Sequence, residues 1–272
     1  MKKISISFLC ILLTVTPIWF VFGSAADEYL DYDYPYISGD FAYELNDQGG
    51  ACIFDYRGND KIIYIPSSLD GHPVQALWGL VYSGPWNQVI EEVYLPEGLE
   101  IIAGSGVNYL ENIKTLHLPL SLKKIIGDSL GIVKDIQVDN EHPVFVCIER
   151  ALYNKVTKTL VHYRGTKTSF SVQPGILEIG DAAFFGTQIE EIILPEGLES
   201  IGYMSFSVMK NLQRINLPSS LKYIDRFAFD GVNSGTSYNL SVSFEPGTYA
   251  SRWYDSMDDI RKPELSEPFS VE

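Results

Sequence analysis

A solenoid of stacked repeats is the fold class this sequence predicts, and three observations predict it. The segment from Ile90 to Pro96 (Ile-Glu-Glu-Val-Tyr-Leu-Pro) returns from Ile189 to Pro195 as Ile-Glu-Glu-Ile-Ile-Leu-Pro, and both run on into Glu-Gly-Leu-Glu. The closing position of that frame recurs at Pro66, Pro96, Pro119, Asp139, Gln173, Pro195, Pro218 and Glu245, at intervals of 30, 23, 20, 34, 22, 23 and 27 residues. Periods of this size belong to solenoids. One and three residues before each mark the chain is apolar without exception, from Ile65 and Ile63 to Phe244 and Val242, while the residue between them varies. That is the period of two of a strand with one buried face, ended by a Pro that offers no N–H to a ladder.

The elements follow in chain order. Lys2 and Lys3, an apolar run from Ile4 to Phe22 and the small cluster Gly23-Ser24-Ala25-Ala26 form a secretory signal peptide over 1–26. The run is also long enough to span a bilayer, so an uncleaved N-terminal anchor is the alternative. Residues 27–40, acidic and rich in Tyr, are expected as a flexible linker. The solenoid with its caps is expected over 41–257. Phe41 to Leu45 and Ala51 to Tyr56 flank Asn46-Asp47-Gln48-Gly49-Gly50 as a β-hairpin that would cap the first repeat.

Within the repeats, apolar residues at three and six past the mark (Leu99 and Ile102, Leu198 and Ile201) predict a second short extended segment. Bulky residues at eleven past it (Val107, Leu130, Phe184, Phe206, Phe229) would plug the core from a short helical turn. The longest interval, Asp139 to Gln173, holds two apolar runs around Tyr153-Asn154-Lys155 and predicts an extra hairpin. This is either an insertion on one face, where solenoids often bind, or a structural elaboration. Tyr249, Trp253 and Met257 recur every four residues, as in a short amphipathic helix that would cap the other end. Residues 258–272 are expected as a flexible tail. No single repeat can bury its apolar face alone, so stability comes from stacked neighbours.

Composition narrows the function. Of 272 residues 20 are Lys or Arg and 35 Asp or Glu, a formal charge of −15, or −17 once the two leader lysines are removed. A chain this acidic lacks the basic footprint that nucleic acid requires. Cys52 and Cys147, the two cysteines beyond the leader, fall in distant repeats and are expected as free, small hydrophobes; a disulfide is the alternative if they lie within about 7 Å. The nucleophile-elbow, metalloprotease, Cys-x-x-Cys and phosphate-loop patterns do not occur, and Gly104-Ser105-Gly106 is a tight turn. His72, His117, His142 and His162 are too far apart in register for a metal site. Glu91-Glu92 and Glu190-Glu191 sit on strand edges four repeats apart and cannot act as one acid–base pair. No cofactor and no metal are expected, and the chain is not expected to be an enzyme.

The frame Leu-x-x-Ile-x-Leu-Pro-x-x-Leu-x-x-Ile with a downstream plug resembles the BspA-like (Treponema-type) bacterial leucine-rich repeats. Tyr56-Arg57-Gly58 after the hairpin and Pro246-Gly247-Thr248-Tyr249-Ala250 near the end resemble segments of that family too. Asp139 and Gln173 depart from it, standing where Pro is usual. The resemblance implies a right-handed, β-rich leucine-rich-repeat solenoid in a secreted or cell-surface protein of adhesion type. Its partner would be an extracellular protein or glycan, with no membrane insertion after signal cleavage. The outward residues two before each mark, Tyr64, Tyr94, His117, Gln137, Ser171, Ile193 and Asn216, would align at about 4.8 Å steps as a ligand-binding strand face. A non-catalytic part of a cell-envelope assembly is the alternative function.

Overall fold

Within each run of ladders, main-chain hydrogen bonds tie one repeat to the one before it: four residues past the mark, Lys123 N–H donates to Glu100 C=O, Glu199 to Leu177 and Lys222 to Glu199, each at 2.8 Å. The computed structural model describes residues 36–80, 89–232, 240–257 and 264–265. The expected signal peptide, residues 27–35 of the expected linker and most of the expected tail lie outside the described residues.

The chain opens with an antiparallel ribbon of β1 (Tyr36–Ser38), β2 (Phe41–Leu45) and β3 (Ala51–Tyr56). The hairpin therefore starts within the expected linker, where Tyr36 stacks on Tyr43. Next come β4 (Ile62–Tyr64), β5 (Ser68–Leu69), β6 (His72–Gly79), β7 (Glu92–Tyr94), β8 (Ile101–Gly106), β9 (Thr115–His117), β10 (Lys124–Ile125) and β11 (Asp135–Gln137). They form two parallel ladders, β4-β7-β9-β11 before the marks and β3-β6-β8-β10 after them.

A second antiparallel ribbon then interrupts both ladders: β12 (Phe145–Ile148), β13 (Ala151–Asn154) and β14 (Thr159–Tyr163). Ladders resume through β15 (Ser169–Ser171), β16 (Glu178–Ile179), β17 (Glu191–Ile193), β18 (Ser200–Ile201), β19 (Arg214–Asn216), β20 (Tyr223–Ile224) and β21 (Ser241–Ser243). The helix α1 (Tyr249–Asp255) follows, and β22 (Glu264–Leu265), within the expected tail, adds a strand to β21.

The second ribbon is a copy of the first. Both end in Tyr-Arg-Gly, at Tyr56-Arg57-Gly58 and Tyr163-Arg164-Gly165, and seven residues past each Tyr stands the inward residue of the next strand, Ile63 or Phe170. In both, a Cβ on the Gly would collide with the Tyr hydroxyl, Gly58 with that of Tyr56 and Gly165 with that of Tyr163. Each half of the chain is thus a hairpin followed by four repeats. The ribbon is no protrusion. Successive residues of β13 face different cores, Leu152 toward the first half and Ala151 and Tyr153 toward the second, while Phe145 and Val146 divide in the same way. The extra hairpin is a wall between two cores.

The inward rows are buried as expected, and all eight residues three before the mark are at most 6% exposed. The plug stretches are successive turns with i to i−3 bonds, such as Phe185 N–H to Ala182 C=O at 3.0 Å. Their rings form a column, Phe184, Phe206, Phe229 and Trp253, with centroids 5.5, 5.0 and 5.4 Å apart. Trp253 comes from α1, whose first turn is capped by Thr248, so the helix continues the same core. Cys52 is buried in β3 and Cys147 half-buried in β12, and the two do not pair as a disulfide.

The strand face

The outward residues of β4, β7 and β9 are brought together in one stack. Parallel pairing puts Tyr64 opposite Tyr94 and Tyr94 opposite His117. Their rings stack nearly parallel to one another, at 4.5 Å and 14° for the first pair and 3.8 Å and 8° for the second. Strand spacing sets this distance, because adjacent parallel strands are about 4.8 Å apart and an aromatic ring fills most of that step. Tyr64, at the outer end, is 67% exposed.

Glu92, two residues before Tyr94 on the same face, locks the stack. Its Oε1 accepts from the Tyr94 hydroxyl at 2.9 Å and from His117 Nε2 at 2.7 Å. The His117 bond, then the Tyr94 bond, hold the Glu92 carboxyl below the usual carboxylate range. Reciprocally, the Glu92 carboxylate and then desolvation push the Tyr94 hydroxyl up to about 12. The neighbouring Glu91 sits between Lys114 (2.6 Å) and Lys61 (3.3 Å), which lower its pKa as well. Glu191 pairs with Arg214 at 3.1 Å. These glutamates bind across strands to partners of the ladder.

The remaining expected face residues do not join the stack. Gln137 is exposed and donates to Asp135 at 2.7 Å. Between Gln137 and Ser171 the row is interrupted, since β11 ends one sheet and β15 begins another; the expected single row is two. Ser171 is exposed and Ile193 half-buried. Asn216 is turned onto the main chain, its Oδ1 accepting from Leu194 N–H at 2.7 Å and its Nδ2 donating to Leu194 C=O at 2.9 Å. Glu92, which orders the stack, was missed as a face residue; its signal in the sequence is an acid two before Tyr94 and one strand away from His117.

Among the described residues no group of three or more His, Cys, Asp or Glu converges as metal ligands, and no helix is long and apolar enough to cross a membrane. Residues 161–262 match the family model of the BspA type leucine rich repeat region, in six copies. Among solved structures, the pneumococcal vaccine antigen PcpA is similar with a TM-score of 0.52 at 15% identity, over 76% of this chain and 80% of that one. A leucine-rich repeat protein of Eubacterium ventriosum has a TM-score of 0.46 at 17% identity, over 84% and 83%. A leucine rich cell surface protein of Faecalibacterium prausnitzii has 0.42 at 15%, over 86% and 95%. No curated protein matches by sequence. The same frame runs from Pro66 to Glu245 through stacked parallel ladders, so the chain is a leucine-rich-repeat-like solenoid, and over residues 161–262 it is similar to the BspA type leucine rich repeat region.

Proposed function

We propose that the chain is a secreted or cell-surface binding module, exported by the signal peptide over 1–26, that presents its strand face to an extracellular partner. The observation that carries this reading is the Tyr64–Tyr94–His117 stack. Aromatic anchors supply much of the energy of protein contacts, and rings already held in one rotamer lose little freedom when a partner arrives. The stacking also favours a protein over a glycan. Both faces of the Tyr94 ring are covered by its neighbours, leaving ring edges and hydroxyl groups for contact and only the outer face of Tyr64 for a sugar ring. Binding, not turnover, is the chemistry such a surface serves, since its carboxylates are committed to Tyr94, His117, Lys61 and Lys114.

The test is a binding screen of residues 27–272 against extracellular-matrix proteins and glycan arrays, repeated with Tyr64→Ala and with Tyr94→Ala plus His117→Ala. The expected result is a protein hit that weakens at least about tenfold in both variants, with unchanged circular dichroism. A hit indifferent to both variants would move the contact off this face.

A further inference from the structure

The ladder after the marks stops at β10, the last strand of its sheet, and the sequence shows why. Four residues past the mark, every neighbouring repeat has an N–H that donates to the preceding repeat; after Asp139 that position is Pro143, which has none. The next N–H, of Val144, and that of Phe145 both donate to His142 Nδ1 at 3.1 Å. The chain then leaves along β12 to pair with β13. Lys124 and Ile126 turn their N–H groups to β8, bonding Glu100 and Ile102. By the alternation of a parallel ladder, the carbonyl of Lys123 and the N–H and carbonyl of Ile125 face the other way, where no hydrogen bond to them is made among the described residues.

This edge lines a cleft of about 320 Å³ closed on the far side by β14 and β16. Its floor is apolar. The isoleucine six past the mark is at most 4% exposed at Ile102, Ile179, Ile201 and Ile224, but Ile125 is only half-buried, and Ile126 beside it is 51% exposed. Phe145 and Val161 complete the floor. Glu178 and Asp181 stand on the opposite wall. Asp181 spends Oδ1 on Tyr203 N–H at 2.8 Å, and among the described residues Glu178 accepts only from Thr159, at 3.2 Å.

We infer that this cleft is a second binding site, one that takes a short extended segment of a partner polypeptide as an added strand on β10, with an apolar side chain on Ile125 and Phe145 and a Lys or Arg toward Glu178 and Asp181. An open strand edge is a template for such pairing, and main-chain bonds supply affinity in strand addition while side-chain pockets supply specificity. The site is separate from the Tyr64–Tyr94–His117 face and stands or falls without it.

The test uses residues 27–272 and a fluorescein-labelled peptide alternating Val and Lys, read by fluorescence polarisation, with hydrogen exchange at the Ile125 amide as a second readout. Saturable binding is expected, together with slowed exchange at Ile125. The same peptide N-methylated on alternate residues keeps its charge and loses its strand donors, so it should not bind. Glu178→Gln with Asp181→Asn should weaken binding at least about tenfold with unchanged circular dichroism, and Tyr64→Ala should leave it unaltered. Three results would overturn the site: no saturation at millimolar peptide, equal binding of the N-methylated peptide, or an Ile125 amide already protected in a dimer of this chain.

Discussion

His162 donates its Nε2–H to the carbonyl of Val133 at 3.0 Å, joining the two halves of the chain where, among the described residues, no strand pairs with another. The tautomer follows from the partner, because a carbonyl only accepts. Arg164 and Arg150 make the same kind of bond, to Gly131 C=O at 2.6 Å and to Lys134 C=O at 3.5 Å. Side-chain donors therefore bridge the junction that main-chain ladders bridge elsewhere.

The junction makes stability depend on pH. Burial, first, and the nearby Arg164 charge hold the His162 pKa well below its ordinary value near 6.5, and burial lowers that of His142 as well. Below that ordinary value the unfolded chain binds protons that the folded chain refuses. The stabilisation is thus complete above about pH 6.5 and lost as pH falls beneath it, at up to about 1.4 kcal/mol per pH unit for each histidine. Urea midpoints measured from pH 7.5 down to 5.5 should fall, and His162→Gln, which keeps a donor, should shed about one proton of that dependence. An identical slope in the variant would assign the effect to other groups.

The two Tyr-Arg-Gly motifs should respond differently to loss of their arginine. Arg164 bonds three carbonyls, of Tyr163 (2.6 Å), Ala183 (3.1 Å) and Gly131 (2.6 Å), and burial pulls its pKa down to about 10. Arg57 pairs with Asp55 at 3.4 Å and is 40% exposed. Arg164→Met should cost about 2–4 kcal/mol by orphaning the carbonyls of Tyr163 and Gly131, and Arg57→Met less, about 1–2 kcal/mol, because it removes a long ion pair to the buried Asp55 carboxylate. Chemical denaturation of the pair decides it, and equal losses would mean that Arg164 has no bridging role.

In the repeats marked by Gln173, Pro195 and Pro218, the residue thirteen past the mark takes a positive φ. Gly186 and Gly231 meet it at 67° and 65°, whereas Val208 adopts 58° with a β-branched side chain. A left-handed conformation costs such a residue about 1–2 kcal/mol, partly offset by the greater freedom glycine has when unfolded. Val208→Gly should therefore stabilise by about 0.5–1 kcal/mol, seen as a rise of about 2 °C in the thermal midpoint. A fall would show that the Val208 methyl groups contribute more packing than the backbone loses.

What the sequence disclosed was whatever repeats. Ile63, Val93, Leu116 and their successors announce the strands because burial acts on every repeat alike, and Tyr64, Tyr94 and His117 could be aligned from the same count. The break was harder to see, since the 34-residue interval hides a second start: Tyr163-Arg164-Gly165 copies Tyr56-Arg57-Gly58, with Phe170 spaced as Ile63 is. Comparing those two motifs would have found it. The role of Asn216 was not legible, because a side chain that bonds the main chain of the adjoining repeat occupies the same outward position as one that faces solvent.

His142 gives the sharpest contrast between repeat pattern and local chemistry. It stands three past its mark, where Leu69, Leu99, Leu122, Leu198 and Leu221 are buried elsewhere, and it is itself fully buried. Restoring the pattern with His142→Leu would place an apolar side chain of suitable size in an apolar slot. Yet Nδ1 of the imidazole accepts from the N–H groups of Val144 and Phe145, and Nε2 donates to Pro119 C=O at 3.0 Å. With Pro143 present, the strand from Phe145 cannot rejoin β10 to satisfy those N–H groups, so leucine leaves the donors of Val144 and Phe145 unpaired, while Pro119 C=O keeps the Leu122 N–H at 3.1 Å. Each unpaired donor costs about 1–3 kcal/mol, against about 1.5–3 kcal/mol for burying the larger apolar side chain. His142→Leu should therefore destabilise by about 1–4 kcal/mol in urea denaturation at pH 7.5, where the histidine is neutral in either state. A gain in stability would mean that β12 re-enters the ladder and that the unpaired edge of β10 is held open by His142 alone.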